Sequence, residues 1–310
     1  MKILITGGAG FLGTYLVEHW AKLGHKVSVL NTKSKRSSEF VRSFASSVEI
    51  IWGNVEDYDT VESSVQGKDL VIHLAAKVNV DQSVVSPRDY FKTNLDGTIN
   101  ILEAVRSHGA KLIYESSREV YGDIANSSVQ ESAELRPKSP YALSKASADR
   151  ICYGYHTSYG LDIIIVRSCN VYGLKQRGGR MGALIPRLVD QALRGGELTI
   201  YGSGAQKREY IHVKDAARLS VDVLDDRHRN KAITVTGSQV LNSRELIDMI
   251  FEIAGVEKSV KFLPSDREGY HYRMTPYRYT PKQAQKLVPD EFIDIGQGVL
   301  EIVEEIYSED

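Results

Sequence analysis

Cysteine is scarce: the 310-residue chain carries two, Cys152 and Cys169. Their spacing makes neither a redox pair nor a ligand pair, so both read as packing residues in a reduced, cytoplasmic setting. An excess of either charge is missing too. Lys and Arg number 39 against 40 Asp and Glu, a formal net charge of −1. That balance leaves no electrostatic case for nucleic acid or for an anionic membrane surface. No apolar run approaches the ~18 residues of a membrane span. The opening MKILITGGAG is expected to enter a strand at once rather than act as a signal peptide. Histidines at metal-ligand spacing are also lacking. His73 lies in the apolar VIHLAA and His212 follows REYI; both read as hydrogen-bonded core residues, and no metal is expected.

What the chain has is alternation. KILIT, KVSVL, VEIIW, DLVIHLA, KLIYESS and LDIIIVRS are short, apolar and rich in β-branched residues, and read as buried strands. Between them, segments such as LGTYLVEHWAKLG and NLDGTINILEAVRSHG carry apolar positions at helical spacing. Strand and helix in turn specify an α/β fold, a doubly wound parallel Rossmann sheet. The regularity holds over residues 1–168. Beyond it come the basic, glycine-rich GLKQRGGRMG, the helical ALIPRLVDQALRGG and the strand-like LTIYG. Residues 169–310 are expected to form mainly a smaller mixed α/β substrate lobe at the sheet's C-terminal edge, with about 211–240 rejoining the first domain.

Between the first strand and first helix, ITGGAGFLG places Gly7, Gly8, Gly10, Phe11, Leu12 and Gly13. Gly8, Gly10 and Gly13 satisfy G-x-G-x-x-G, in which early glycines bring backbone N–H groups to a pyrophosphate and the last permits close helix–strand packing. A dinucleotide cofactor is therefore expected. The second strand ends at Asn31, where a ribose-binding carboxylate normally stands, and Lys33, Lys35 and Arg36 follow. A neutral residue does not repel a 2′-phosphate and the cations favour one, which tilts the expectation slightly toward NADP over NAD.

In SPYALSK, Ser139 is suited to cap a helix and Pro140 to open it. Tyr141 then lies in the first turn with Lys145 one turn on, on the same face. A nearby ammonium favours tyrosinate and lowers a phenol toward the working range. The glycine motif, VIHLAA, FKTNLDGTINILEA, SSREVYG, SPYALSKASAD, RSCNVYG and YGSGAQKREYIHVKD follow one another in this order. Over residues 1 to about 215 the chain closely resembles the extended short-chain dehydrogenases/reductases, specifically the nucleotide-sugar epimerase/dehydratase group.

The resemblance implies a catalytic set of Ser117, Tyr141 and Lys145, a tightly bound NAD(P), and Asn94 in the supporting network. It places Asn54 and Val55 by the adenine, with Asn54 where an aspartate is usual. Leu74, Ala75, Ala76 and Lys77 would line the cofactor, and Lys145 would also hold its ribose. Asn170, Arg208 and Arg267 would contact a sugar nucleotide's diphosphate, although Tyr270 replaces the aspartate usual after the second arginine. Tyr201 would pack on the nucleotide base. A homodimer through helices beginning near Gly97 and Tyr141 is also implied.

SSREVYGD then selects among reactions. Each begins with Tyr141 taking a proton from a sugar hydroxyl as hydride leaves the sugar. A 4-epimerase needs no further acid or base. Dehydratases of the group carry an acidic residue and then glutamate after the serine or threonine, whereas here Arg118 precedes Glu119, and arginine is no ordinary proton donor. Continued strand alternation would put Ser117 and Glu119 on one face and Arg118 on the other. The expected activity is nucleotide-sugar 4-epimerisation, on a UDP-hexose or UDP-hexuronate. The alternatives are a dehydratase or decarboxylase using Glu119, and a non-catalytic dinucleotide-binding protein.

Overall fold

The apolar runs form strands because branched side chains fill a sheet covered on both faces. The computed structural model describes residues 1–44, 46–122, 131–176, 183–205, 207–264 and 291–309. Its strands are β1 (Lys2–Thr6), β2 (Lys26–Asn31), β3 (Glu49–Trp52), β4 (Leu70–His73), β5 (Lys111–Glu115), β6 (Ile163–Ser168), β7 (Asn170–Tyr172), β8 (Leu198–Tyr201), β9 (Lys207–His212), β10 (Ala232–Val235), β11 (Gln239–Asn242) and β12 (Val260–Leu263). Seven of them make one sheet in the order β10-β6-β5-β4-β1-β2-β3. Every neighbouring pair from β6 across to β3 is parallel.

The chain winds away from β1 in both directions, so the strand order reverses between β1 and β4. Thr6 faces His73 across that line, and both strands give way there to loops. Diverging loops at such a reversal open a crevice at the C-terminal ends of the strands. The fold thus puts the glycine loop after β1 beside residues 74–77 after β4.

The chain divides into two compact units: Met1–Gly122, Glu134–Ser168 and Ser220–Thr234 in one, and Asp123–Ala133, Cys169–Leu219 and Val235–Asp310 in the other. In the first, Leu4, Leu30, Val71 and Leu112 of the sheet pack with Ile101, Leu102 and Val105 of the helix Gly97–His108. Each such burial contributes about 1.5–3 kcal/mol against the entropy of ordering the chain. Cys152 is sealed within this cluster, and Cys169 is also buried and free. In the second, β11-β9-β7 form one sheet and β12 pairs with β8. Its core is built from the helices Leu184–Leu193, Ser243–Ala254 and Ile295–Glu309. Among the described residues no helix is long and apolar enough to cross a membrane, and no His, Cys, Asp and Glu group is placed to hold a metal.

One buried ion pair ties three elements of the first unit together. Arg167 of β6 donates from Nε to Asp149 Oδ2 at 2.9 Å, and from Nη1 to the Tyr121 hydroxyl at 2.8 Å. Its guanidinium also lies 5.0 Å from the centre of the Tyr121 ring. Asp149 belongs to the helix Pro140–Tyr159, and Tyr121 ends the turn after β5. Removing one partner strands the other charge away from water, which costs about 3–5 kcal/mol, whereas removing both need not. Asp149→Ala should therefore lower unfolding stability in urea by that amount, with Asp149→Ala/Arg167→Leu recovering much of it. A single variant as stable as wild type would mean that the pair is not holding these elements.

Candidate active site

The crevice starts at the glycine loop. Gly7 has φ +70°, a left-handed conformation that side chains disfavour. A Cβ on Gly7 would sit 2.8 Å from the Ala75 nitrogen, and one on Gly13 would strike the Gly7 carbonyl oxygen and lie 2.7 Å from the Gly8 Cα. The backbone is therefore drawn in too closely for side chains. The helix Phe11–Lys22 begins there with Gly10 as cap, no side-chain acceptor and no acidic residue in its first turn. N-terminal N–H groups of that kind suit an anion. The residues fit a dinucleotide pyrophosphate.

Asn31, at the end of β2, accepts from the Ala9 N–H through Oδ1 at 3.2 Å and donates from Nδ2 to the Thr32 carbonyl at 2.9 Å. Its amide is thus fixed against the glycine loop, while Lys33 and Lys35 are exposed. Arg36 stacks over the Phe40 ring at 4.9 Å. Asn54 Oδ1 caps the Glu56 N–H at 3.2 Å, and buried Val55 receives Asn100 Nδ2 on its carbonyl at 2.9 Å.

Residues 74–77 are held from two sides. Leu74 and Ala75 N–H groups donate to the Thr6 carbonyl and hydroxyl at 3.1 and 3.2 Å, and Ala76 follows them. Asn94 clasps Lys77 by accepting from its N–H at 2.8 Å and donating to its carbonyl at 2.9 Å, and it donates to Ser144 Oγ at 2.9 Å as well. Asn94 reaches both because Lys92–Asp96 form a widened π turn, a distortion often found at functional sites. Ser144 in turn donates to the Tyr141 carbonyl at 2.7 Å. Beneath lies His73, fully buried between the Thr6 hydroxyl at 2.7 Å and the Thr98 hydroxyl at 3.1 Å. Burial, then the Lys145 charge, push this imidazole down to about 3. It is a neutral core residue, as its apolar sequence context implied. His212, in the second unit, is buried too and packs edge-on to Tyr172 at 5.3 Å.

The helix Pro140–Tyr159 starts where its sequence dictates: Ser139 Oγ accepts from the Ala142 N–H at 3.1 Å, and Pro140 occupies the first turn. Tyr141 and Lys145 both face inward, 7% and 3% exposed. Lys145 Nζ donates to the Glu115 carbonyl at 2.7 Å and stands 4.9 Å from the Tyr114 ring centre. Burial pulls its ammonium down to about 8. Ser117 is also buried, and its hydroxyl acts to lower the Tyr141 phenol. Tyr90 meets the Tyr141 ring edge-on at 6.5 Å.

Two sequence expectations need correction here. The phenol of Tyr141 is not lowered in the chain by itself. Burial pushes it far above the ordinary range, Glu119 and Glu115 push the same way, and only the Ser117 hydrogen bond opposes them. Nor does strand alternation continue past β5. Ser117 caps a tight turn, Arg118–Tyr121, by accepting from the Glu119 N–H at 3.2 Å. Arg118 consequently does not point away from Glu119. It donates from Nη2 and Nε to a single Glu119 oxygen, Oε1, at 2.7 and 3.1 Å.

The structure thus gathers the glycine loop, Asn31, residues 74–77, Asn94, Ser117, Glu119, Tyr141 and Lys145 in the first unit. Asn170, Tyr201 and Arg208 belong to the second. Asn170 opens β7 and donates to the Glu209 carbonyl at 2.9 Å, Tyr201 ends β8, and Arg208 lies in β9 opposite Leu241. The Tyr201 side chain, Arg267 and Tyr270 lie outside the described residues. Sequence reasoning missed Glu115, Ser144, Ser168 and Thr98. Ser144 was recoverable, since it directly precedes Lys145 and sits one turn after the helix opens. Thr98 and Ser168 lie inside FKTNLDGTINILEA and RSCNVYG, where no role was drawn for them, and Glu115 carries no motif.

The NAD dependent epimerase/dehydratase family profile matches residues 3–236. A UDP-N-acetyl-alpha-D-glucosaminuronate decarboxylase of Bacillus cytotoxicus is 30% identical over 275 residues, 87% of this chain and 85% of that protein. A dTDP-glucose 4,6-dehydratase of an Actinoplanes species is 32% identical over 321 residues, 98% and 97% of the two chains. Among solved structures, UDP-glucuronic acid 4-epimerase of Bacillus cereus, in complex with UDP-glucuronic acid and NAD, gives a TM-score of 0.88 at 26% identity, covering 100% of both chains. The chain belongs to the NAD dependent epimerase/dehydratase family and is an enzyme of it.

The glycine contacts generate a test. Gly13→Ala forces a methyl group into backbone that has no flexible end to move aside. The variant should fold with reduced thermal stability and copurify with far less dinucleotide than wild type. Equal cofactor content, measured by mass spectrometry of denatured samples, would show that the loop is not the pyrophosphate cradle.

Proposed function

We propose that the protein is a nucleotide-sugar 4-epimerase that turns over a UDP-hexose or UDP-hexuronate through a transient 4-keto sugar. The observation that carries this reading is the Arg118–Glu119 ion pair. Glu119 serves as counter-ion to a guanidinium that keeps its proton, and Arg118 occupies the place of the second acid that dehydration needs. Epimerisation needs neither group.

In this reading Tyr141 accepts the proton of the sugar 4-hydroxyl and returns it to the same oxygen after the keto sugar has turned over. Ser117 donates to that oxygen while charge develops on it. Lys145 holds its ammonium beside the site. Bound nicotinamide supplies the hydride acceptor and donor and, when oxidised, a positive charge that favours tyrosinate. Asn170, Tyr201, Arg208 and Arg267 hold the nucleotide. A dehydratase or decarboxylase using Glu119 is the second reading, favoured by one observation: Glu119 lies in the tight turn that Ser117 caps, with its N–H on the Ser117 hydroxyl. A non-catalytic protein is disfavoured by the buried Ser117, Tyr141 and Lys145 set. The enzyme is taken to be cytoplasmic and homodimeric.

A panel of nucleotide sugars followed by NMR in D₂O separates these readings. The 4-epimer should form with C5 unlabelled, Glu119→Gln should keep substantial activity, and Tyr141→Phe should lose roughly 10²–10⁴-fold in turnover. Deuterium at C5, lost in Glu119→Gln, would promote the dehydratase.

The cofactor is proposed to be tightly held NAD(P), with NADP favoured over NAD because Asn31 is neutral and Lys33 and Lys35 stand exposed after it. Stripped protein should bind NADP at least as tightly as NAD, and Lys33→Ala should weaken NADP more. Retention of NAD alone would reject this and leave the lysines as solvated side chains.

A further inference from the structure

Two links run from the segment after β4 to the helix Pro140–Tyr159, and both pass through the helical run that begins at Pro87. Asn94 makes the first, from the Lys77 backbone to Ser144, whose hydroxyl holds the Tyr141 carbonyl. Tyr90, one turn before Asn94, makes the second. It donates from its hydroxyl to the Asn79 carbonyl at 2.5 Å, and its ring meets the Tyr141 ring at 6.5 Å with the planes 82° apart. The first link holds the helix backbone at Tyr141. The second touches the ring that carries the phenol.

Tyr90 is built into the first unit. It belongs to the short helix Pro87–Phe91 and is 3% exposed. Its partner is fixed as well: Asn79 Oδ1 caps the helix Val80–Val85 by accepting from the Gln82 N–H at 2.8 Å. A buried hydroxyl is costly without a partner, so the Asn79 carbonyl decides where the Tyr90 ring sits and hence where it meets Tyr141. Near-perpendicular planes are a favoured arrangement for such a ring pair. The neighbouring Lys77–Asp89 ion pair, at 3.5 Å, is too exposed to hold the segment as firmly.

We propose that Tyr90 is a positioning residue for Tyr141: its ring fixes the orientation of the Tyr141 ring, and its hydrogen bond to the Asn79 carbonyl anchors that contact to the segment after β4. The inference rests on the reading of Tyr141 as the group that takes the sugar proton. A general base must keep its oxygen within hydrogen-bond reach of that proton. The phenol oxygen lies on the long axis of its ring, so a swing about the Cα–Cβ bond is what carries it out of reach. A ring walled by Tyr90 has less room for that swing. The two neighbouring phenols are thereby given different roles. Tyr90 keeps its own proton, because an oxygen that donates to a carbonyl must carry one, and it is no rival base.

Two substitutions separate ring from hydroxyl. Tyr90→Leu removes the ring, and Tyr90→Phe keeps the ring but releases its anchor. Turnover is counted per protein with bound dinucleotide, so that partial unfolding does not mimic the effect. Tyr90→Leu should lower kcat roughly 10–100-fold with KM unchanged, and Tyr90→Phe should lose less, about threefold. In parallel, NMR of protein with isotope-labelled tyrosine rings follows Tyr141 without substrate, its signals identified by their loss in Tyr141→Phe. Those signals should move in Tyr90→Leu, through loss of the neighbouring ring, and by less in Tyr90→Phe. Wild-type kcat in folded Tyr90→Leu, or Tyr141 signals that stay in place, would overturn the proposal. If Tyr90→Leu fails to fold, Tyr90→Phe decides: kcat and Tyr141 signals both unchanged would overturn it equally. If no nucleotide sugar turns over, or Tyr141→Phe keeps its turnover, the proposed reaction fails, while the NMR signals still decide whether Tyr90 holds the Tyr141 ring.

Discussion

The ammonium of Lys145 is held out of water, and the first unit is arranged around that constraint. A buried charge is costly unless it is paired and hydrogen-bonded. Lys145 is supplied with the Glu115 carbonyl and the face of Tyr114. Both come from the end of one strand, so the helix carrying Lys145 has little freedom to slide or rotate against β5. Ser139 and Pro140 set where that helix begins. Because Tyr141 lies one turn earlier on the same face, fixing the lysine also fixes the phenol against Ser117.

The same helix is wired to the cofactor crevice. Ser144, beside Lys145, joins the Tyr141 carbonyl to Asn94, and Asn94 grips both polar groups of the Lys77 backbone. From there Thr6, His73 and Thr98 continue a buried chain of hydrogen bonds back to the carbonyl of Asn94. Such a network rigidifies a site only when its members are satisfied, and each of these residues has its partners. Residues 74–77 and the helix that carries Tyr141 and Lys145 are therefore positioned by one connected structure.

Much of this was legible in the sequence because local chemistry decided it. Apolar β-branched runs became β1 to β6, the glycine spacing became a loop too tight for side chains, and Ser-Pro began the helix at the expected residue. What was illegible depended on contacts distant in sequence. Glu115 in KLIYESS looks like the polar end of an apolar strand, and only the arrival of Lys145 from a helix some 30 positions later makes it part of the site. The π turn at Lys92–Asp96 has no residue signature, although Asn94 itself was singled out. Alternation past β5 failed because Ser117 turned its hydroxyl to the Glu119 N–H, a local hydrogen bond that competes with strand geometry. The predicted fall of the Tyr141 phenol failed because a lysine one turn away was counted and desolvation was not.

That failure bears on Arg118, the arginine after Ser117. Tyr141 is held protonated by burial and by the carboxylates of Glu119 and Glu115, with one hydrogen bond from Ser117 against them. A base in such surroundings needs nearby negative charge neutralised and positive charge added. Arg118 accomplishes the first by placing two N–H groups on one oxygen of Glu119. The remaining penalty is desolvation, which an added positive charge in the crevice offsets only when the crevice is filled. On the proposed function, proton abstraction by Tyr141 would await positive charge brought into that crevice, and the SSREVYGD stretch supplies the arginine that pairs with the glutamate two positions after the serine.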